Sequence, residues 1–224
     1  MKNPWVIIGV ITVVLFGGAI FLSGMSAEKN NEGVEIIQHI KGNPDASIVL
    51  TEYSDLQCPA CAAFLPVVNE VMSEYGDSIR FEYKHFPLPT NQHAISASMA
   101  AEAAGQQGKF FEYHDLLFES QQVWSTNANP EVIFLQYADT LGLDVPTFKR
   151  HMNSSLLRDK VRDEFSEGRQ LGVSGTPSFF LNGQRMEFQT YQEFIQQIAF
   201  AVDPSSVPTS TPTQNGAPSV RFGI

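Results

Sequence analysis

The first half of the chain consists of apolar segments of strand length and one helical pattern between them. Strand patterns cover residues 34–40, 47–53 and 80–86, and the second is almost continuously apolar, as expected at the centre of a sheet covered on both faces. A proline opens a helical pattern over residues 59–75, between the second and third strands. This strand–helix–strand order predicts that the two strands are parallel and joined by a right-handed crossover.

Helical patterns fill the middle of the chain, and a hairpin pattern follows them. The five predicted helices cover residues 93–105, 110–118, 130–141, 145–152 and 155–171. Residues 177–181 then read as a strand, Asn182-Gly183 as a two-residue hairpin turn, and 184–188 as the return strand, before a last amphipathic helix over 190–202. The order predicts an α/β fold in which a helical subdomain, at about 91–171, is inserted between a β-α-β half and a hairpin half.

The N-terminal region has the composition of a membrane anchor. Residues 5–22 carry no charged side chain and would span roughly 27 Å as a helix, which is marginal for the hydrocarbon core of a bilayer. Lys2 precedes this segment, whereas Glu28 and Glu32 follow it, so the positive-inside rule places the N-terminus in the cytoplasm and the remainder outside. We expect residues 1–27 to be an uncleaved single-pass anchor in the cell membrane; a cleaved signal peptide is the alternative.

Composition also defines the other boundaries of the domain. Residues 203–224 are rich in Pro, Ser and Thr and offer little to bury, so they are expected to form a disordered tail. Residues 28–33 read as a polar linker, which leaves residues 34–202 as one domain of ordinary size. The formal net charge of −10 argues against binding to nucleic acid.

The candidate chemistry lies in the only two cysteines, Cys58 and Cys61, which enclose Pro59 and Ala60 at a predicted strand-to-helix junction. Unpaired N–H groups and the dipole at a helix start favour a thiolate, and Pro59 can take the first helical position without losing a needed donor. The second thiol is close enough to resolve a mixed disulfide formed by the first. The pattern predicts a redox-active Cys58–Cys61 disulfide that works without a further cofactor.

Two structural interpretations of the cysteine pair compete with this one. A structural zinc site usually takes four ligands, but the five histidines are scattered and offer no second close pair, so no metal site is expected. An inert disulfide between neighbours would close too small a loop to add much stability. Covalent haem attachment needs a histidine directly after the pair, where the chain has Ala62. In an oxidising, extracytoplasmic space, a lone pair of this spacing is more typical of disulfide exchange.

Four segments together resemble a known family. They are EYSDLQCPAC (52–61), KHFPL (84–88), KFFEYHDLLF (109–118) and GTPSFFLNG (175–183). In this order they resemble the DsbA-like thiol–disulfide oxidoreductases, particularly the membrane-anchored bacterial kind, over residues 34–202. The resemblance implies a thioredoxin-like fold with a helical insertion, oxidation of exported proteins, and a cis-proline at Pro177 facing the cysteines. The chain departs from the best-known periplasmic oxidase at Ala60, where that enzyme has histidine, which puts a strongly oxidising character in doubt.

The resemblance and the helix-start position assign roles to three residues. Cys58 is expected to be the exposed nucleophile and Cys61, one turn into the helix, the buried resolving thiol. Glu52 matches the buried acid below the cysteines of the family, which could relay a proton to or from Cys61. The alternative is a strand-end carboxylate paired with a lysine, for example Lys84 on the neighbouring strand.

The Thr176-Pro177 peptide bond predicts a surface for substrate. An X-Pro bond can be cis at modest cost. A cis bond here would leave the backbone N–H and C=O of Thr176 unpaired, so that an extended substrate could add as a strand beside the cysteines. Thr176 and Pro177, with Pro59 and Ala60, are therefore the predicted substrate-binding residues.

Three functions remain open from the sequence. The first is an extracytoplasmic oxidase, expected to be monomeric, that acts on reduced exported proteins and is recycled by a membrane redox partner such as a quinone-linked oxidase. The second is a reductase or isomerase on the same scaffold, although an isomerase usually dimerises and no separate dimerisation segment is apparent. The third is a non-catalytic module that binds a peptide. The redox state of the cysteines in cells would distinguish the first two.

Overall fold

The structure is a computed structural model, which describes residue 12 and residues 28–205. Within these residues one sheet has the strand order β1-β3-β2-β4-β5. Its strands are β1 (His39–Gly42), β2 (Ile48–Ser54), β3 (Ile79–His85), β4 (Ser178–Leu181) and β5 (Gln184–Arg185). The central pair, β2 and β3, is parallel as predicted, and the other neighbouring strands are antiparallel.

Helices cover both faces of this sheet and fill the interval between β3 and β4. They are α1 (Pro59–Tyr75), α2 (Ala94–Gly105), α3 (Phe110–Glu119), α4 (Gln121–Trp124), α5 (Pro130–Thr140), α6 (Val145–His151), α7 (Ser155–Gln170) and α8 (Tyr191–Val202). Helix α1 connects the two parallel strands, and α2 to α7 form the predicted insertion. The pattern missed α4, because this helix has a single turn and is separated from α3 by one residue.

The two faces of the sheet bury different aromatic groups. On one face Phe179 of β4 packs between α1 and α8, with ring centroids 4.9 Å from Phe64 and 4.7 Å from Phe194. On the other face Tyr53 packs under α7 at Gly168, where an added Cβ would lie 2.9 Å from the tyrosine ring. Alternate residues of β2 therefore point into different layers, and those on the side of Phe179 face the helix that begins at the cysteines.

Two strands are shorter than predicted. The first begins at His39 rather than residue 34. His85 lies two residues beyond Tyr83, the last position of β3 that pairs with β1, and its backbone N–H donates to the Glu164 carboxylate of α7 at 2.8 Å instead of to a longer first strand. The residues before His39 stay outside the sheet, and Ile36 is 61% exposed. The return strand is only Gln184–Arg185 instead of 184–188, although the backbone N–H of Met186 still donates to the Phe179 carbonyl at 2.9 Å.

The segment 28–33, predicted to be a polar linker, is docked on the inserted helices. Residues 28–31 are helical, and Asn31 Oδ1 accepts hydrogen bonds from Ser154 Oγ at 2.8 Å and from the backbone N–H of Ser155 at 3.0 Å. The Nε2 atom of His151 lies 3.1 Å from the carbonyl oxygen of Glu32. These contacts at the start of α7 fix the point from which the N-terminal region leaves the domain.

The predicted anchor and most of the predicted tail lie outside the described residues. Of residues 5–22 only Thr12 is described, and the last described residue of the chain is Ser205. None of the helices in the part of the chain that the structure describes is both long and apolar enough to cross a membrane.

Candidate active site

The two cysteines lie at the start of α1, as their sequence position predicts. Cys58 occupies the position before the first helical residue, and Pro59 opens the helix. The carbonyl of Cys58 accepts the N–H of Ala62 at 3.2 Å, whereas no side chain caps the helix start. Neither cysteine is in a disulfide in the structure.

Cys58 is less exposed than the sequence predicts. Cys58 is 8% exposed and Cys61 1%, so both are buried, although Cys58 is the more accessible. Cys58 lies against the loop before β4, because the Sγ–H of Cys58 donates to the carbonyl of Thr176 in this loop at 3.5 Å. A partner that reacts with Cys58 must therefore approach along this loop.

The two thiols have opposite electrostatic environments. A hydrogen bond from the Cys61 side chain lowers the pKa of Cys58 to about 6, assisted by Thr176 and by the backbone N–H groups of Ala60 and Cys61, while burial opposes the shift. Burial raises the pKa of Cys61 well above its ordinary value, and the neighbouring Cys58 and Glu52 raise it further. The arrangement thus holds one thiolate and one thiol at neutral pH.

Glu52 lies on β2, on the sheet face that packs against α1, and it is only 4% exposed. Burial raises the pKa of its carboxyl to about 7, with a smaller contribution from Cys58, and the nearby Ser54 hydroxyl opposes the rise. The alternative pairing of Glu52 with Lys84 is wrong. Lys84 pairs on the other face with Glu167, at 3.3 Å, because adjacent strand residues point to opposite sides.

The Thr176-Pro177 bond is cis, as the resemblance implies. The expectation that both backbone groups of Thr176 are unpaired needs a correction, because its carbonyl accepts the Cys58 thiol. Its buried hydroxyl makes no hydrogen bond of good geometry within the described residues, but it interacts with the Cys58 sulfur and helps to lower the pKa of that thiol. Of the other two predicted substrate-binding residues, Pro59 is exposed and Ala60 is half-buried. All four lie around Cys58, and their roles toward a substrate stay predictions.

Sequence reasoning missed the residues that hold the segment before the helix. Asp55, which is 1% exposed, accepts the backbone N–H of Gln57 at 2.7 Å and that of Leu88 at 2.8 Å. Its second oxygen also accepts the side-chain amide of Asn91 at 2.8 Å. An aspartate directly after a strand is a turn signal that could have pointed to this role. The partners at 88 and 91 come from a distant loop and give no local signal.

A second buried group of ionisable residues lies between β3, α2 and α7. Side-chain atoms of His85, Glu102 and Glu164 lie within 4.8 Å of one another, which is a spacing that a metal ion could use. Lys160 already occupies this position, since its Nζ contacts Glu102 Oε1 and lies 3.6 Å from Glu164 Oε1. The lysine supplies the positive charge that the two carboxylates require, so the group does not fit a cation.

Comparisons with known proteins agree with this geometry. A family model described as Thioredoxin matches residues 35–199. The chain is 36% identical over 152 residues to the Na(+)/H(+) antiporter NhaA 1 of Mycobacterium sp. (strain KMS), which covers 66% of this chain but 24% of that protein. The chain thus spans about a quarter of the length of the curated relatives that it matches.

Solved structures show the same architecture. A thioredoxin-like oxidoreductase from Silicibacter pomeroyi DSS-3 is 26% identical with a TM-score of 0.63, covering 75% of this chain and 91% of that one. Wolbachia pipientis alpha-DsbA1 is 22% identical with a TM-score of 0.62, covering 79% and 94%. The chain therefore belongs to the thioredoxin family and has, within it, the fold of the DsbA-like thiol–disulfide oxidoreductases.

Proposed function

We propose that the chain exchanges disulfides with other proteins through Cys58 and Cys61. The observation that carries this proposal is the asymmetry of the two thiols at one helix start. A pKa of about 6 keeps Cys58 largely ionised at neutral pH, and a thiolate is the reactive form in exchange. The raised pKa of Cys61, which is almost fully buried, keeps that thiol protonated until a neighbouring base removes its proton.

In the oxidising direction the reaction proceeds in two exchanges. A substrate thiolate attacks Cys58 Sγ in the Cys58–Cys61 disulfide, the bond between the two cysteines breaks, and Cys61 leaves as a thiolate that takes a proton from Glu52. A second substrate thiolate then attacks the substrate sulfur of the mixed disulfide and releases Cys58 as a thiolate. The substrate loses two electrons and two thiol protons, and the chain gains the two electrons.

We propose oxidation of reduced exported proteins as the physiological direction. A thiolate stabilised at Cys58 stabilises the dithiol form and so makes the disulfide a better oxidant. This stabilisation comes from Cys61, Thr176 and backbone N–H groups, since Ala60 contributes no side-chain donor. A membrane redox partner, for example a quinone-linked oxidase, would then restore the disulfide, and the chain itself would act as a monomer. Ion transport is not part of the proposal, because the match to the antiporter covers 24% of it.

The proposal includes an extracytoplasmic location, with the domain attached through residues 5–22. Support comes from the charges that flank this segment and from the need of a dithiol oxidase for an oxidising space. Protease added to intact spheroplasts should remove the domain. Full protection of the domain, or recovery of a shortened soluble form, would contradict the anchored topology.

The exchange itself is tested with the full chain and a reduced, unfolded substrate protein whose native disulfide is known. The oxidised chain should form that disulfide stoichiometrically, and thiol trapping in cells should find Cys58 and Cys61 mostly oxidised. Cys58→Ser should lose the reaction completely. Mostly reduced cysteines in cells would favour the reductase or isomerase. An intact chain that exchanges with neither reduced nor oxidised proteins would leave only a peptide-binding module.

A further inference from the structure

Two hydroxyl groups beside Glu52 are buried without a hydrogen bond of good geometry. Tyr83 and Ser54 are each 1% exposed, and neither Tyr83 Oη nor Ser54 Oγ makes such a bond within the described residues, although the Ser54 hydroxyl is near enough to lower the pKa of both Glu52 and Tyr83. Most buried hydroxyls in proteins are paired, since an unpaired one loses its hydration without compensation. Two such groups in one place therefore call for a functional explanation.

The sheet register places both hydroxyls around the same carboxyl. Tyr83 is the partner of Glu52 across the parallel β2–β3 pair, and Ser54 lies two residues further along β2, on the same face. The partner of Glu52 on the other side, Phe179 of β4, is apolar. Cys61 interacts electrostatically with both Glu52 and Tyr83, so the second thiol is a neighbour of the carboxyl and the phenol in the layer between the sheet and α1.

The charged and titratable groups around this space come from four elements. Helix α1 contributes Cys58 and Cys61, and the segment after β2 contributes Asp55. The ring of Tyr83 on β3 is also 5.1 Å from that of His85 on the same strand and 4.7 Å from that of His114 on α3. Burial raises the pKa of Tyr83 well above its ordinary value, and Glu52, Cys61 and Asp55 raise it further, so the phenol stays protonated and remains a donor.

We propose that Tyr83 and Ser54 are positioning residues that donate hydrogen bonds to the Glu52 carboxylate formed when this acid passes its proton to Cys61. The inference rests on the proposed function and names the groups that make its proton step possible. When Cys61 leaves the disulfide as a thiolate, the proton moves from the Glu52 carboxyl to Cys61 Sγ, and a negative charge moves to Glu52. Donors already in place stabilise that charge without reorganisation. In the reverse step the same bonds are released as Glu52 regains the proton.

A purely structural role for the two side chains predicts a different pattern of stability. A hydroxyl that only filled space would be replaceable without any effect on Glu52. If instead the hydroxyl serves the ionised form of Glu52, replacing Tyr83 by phenylalanine or Ser54 by alanine should not lower the stability of the folded protein. The replacement should still raise the free energy of the ionised Glu52 carboxylate. The expected signature is therefore an altered titration of Glu52 without a loss of stability.

The test compares Tyr83→Phe and Ser54→Ala with Tyr113→Phe. Tyr113 is also fully buried, but its hydroxyl donates to the Phe134 carbonyl at 2.8 Å. The pKa of Glu52 is read by NMR of the ¹³C-labelled carboxyl in the reduced full chain, and thermal unfolding is measured in parallel. We expect each site variant to raise the pKa of Glu52 by roughly 0.5 to 1, with unfolding temperature unchanged or higher. The control should leave this pKa unchanged and lower the unfolding temperature.

A second measurement follows the step itself. The rate at which a small dithiol reduces the Cys58–Cys61 disulfide is recorded against pH, with and without Glu52→Gln. Tyr83→Phe should shift the profile in the wild-type background and have no further effect in the Glu52→Gln background. An unchanged Glu52 pKa in both site variants, or an equal kinetic effect of Tyr83→Phe without Glu52, would overturn the inference. Failure of the proposed function would appear instead as absent exchange in the wild type, and the NMR result would still decide the role of the hydroxyls.

Discussion

The side chain of Gln121 donates a hydrogen bond to the carbonyl of Cys58 at 3.1 Å, although 63 positions separate the two residues. The same Nε2 atom also donates to the carbonyl of Leu56 at 2.8 Å. Because Gln121 opens α4 of the inserted helices, the insertion directly holds the backbone of the nucleophile. The inserted subdomain is thus part of the active-site framework.

Gln121→Ala should lower both the stability of the fold and the order of the helix start. The substitution leaves the buried carbonyl of Leu56 without its donor, which costs about 1–3 kcal/mol in the free energy of unfolding. A looser helix start should also raise the pKa of Cys58 from about 6 toward its ordinary value. Urea unfolding and the pH dependence of alkylation measure the two effects. Gln122→Ala, which changes an exposed neighbour, is the control and should alter neither.

The two cysteines should react in a fixed order. Cys58 is more accessible and has the lower pKa, so iodoacetamide at neutral pH should label it first, with a rate that rises around pH 6. Cys61→Ala should accumulate mixed disulfides through Cys58, because no resolving thiol remains. Mass spectrometry of the alkylated peptide identifies the labelled residue, and initial labelling of Cys61 would reverse the assigned roles.

Local patterns sufficed for much of the fold because the signals for its main elements are short-range. Helix α1 runs from Pro59 to Tyr75 as predicted, since proline marks its first turn and apolar spacing its length. The predicted start of the first strand, at residue 34, is too early, because hydrophobicity alone does not show whether Ile36 pairs with another strand. The backbone N–H of His85, which an earlier start of this strand would need, donates instead to the carboxylate of Glu164, more than 120 residues further along the chain.

The candidate site divides in the same way. Cys58 and Cys61 could be located from spacing alone, and Glu52 from its place on a central strand together with the resemblance. The role of Gln121 could not be predicted, because its side chain contacts the backbone carbonyl of residue 58. Every residue type has this carbonyl, so the sequence carries no signal for the contact. The partner of Lys84 was misjudged because neighbouring strand residues point to opposite faces, and only the observed register decides which face each side chain takes.

Glu52→Gln should change how stability depends on pH. The carboxyl has a pKa of about 7 in the fold against 4.5 as its ordinary value, so the folded state binds more protons than the unfolded chain between these values. Its contribution is full below pH 4.5 and is lost as the pH rises through 7, by about 3 kcal/mol at most. Urea unfolding of the oxidised protein, whose sulfurs do not titrate, should show this loss in the wild type and not in Glu52→Gln.

Glu167→Gln is the matched control for this titration. Glu167 is half-exposed and pairs with Lys84 on the opposite face of the sheet, so its removal should leave the pH dependence nearly unchanged. Equal pH profiles for Glu52→Gln and the wild type would mean that Glu52 does not titrate in this window.

Asn31→Ala should release the segment that precedes the domain. Its side-chain oxygen accepts hydrogen bonds from Ser154 and Ser155 at the start of α7, and loss of these hydrogen bonds should cost about 1 kcal/mol. Limited proteolysis should then cut near residues 28–33 faster than in the wild type, while disulfide exchange at Cys58 stays intact. Asn30→Ala is the control, because Asn30 makes only a 3.5 Å contact. Equal cleavage of both variants would show that this docking does not depend on the hydrogen bonds of the Asn31 side chain.

Ala60→His should make the chain a stronger oxidant. Position 60 lies between the cysteines and supplies only a backbone N–H to Cys58. An imidazolium or ring N–H donor there would stabilise the Cys58 thiolate further, which lowers its pKa and stabilises the dithiol over the disulfide. Equilibration with glutathione measures the effect, and a tenfold change in the equilibrium constant corresponds to about 30 mV. Ala63→His, on an exposed position further into α1, is the control for adding a histidine to this helix. A potential that is unchanged or more negative in Ala60→His, or equally shifted in the control, would show that donors beside Cys58 do not set the oxidising strength.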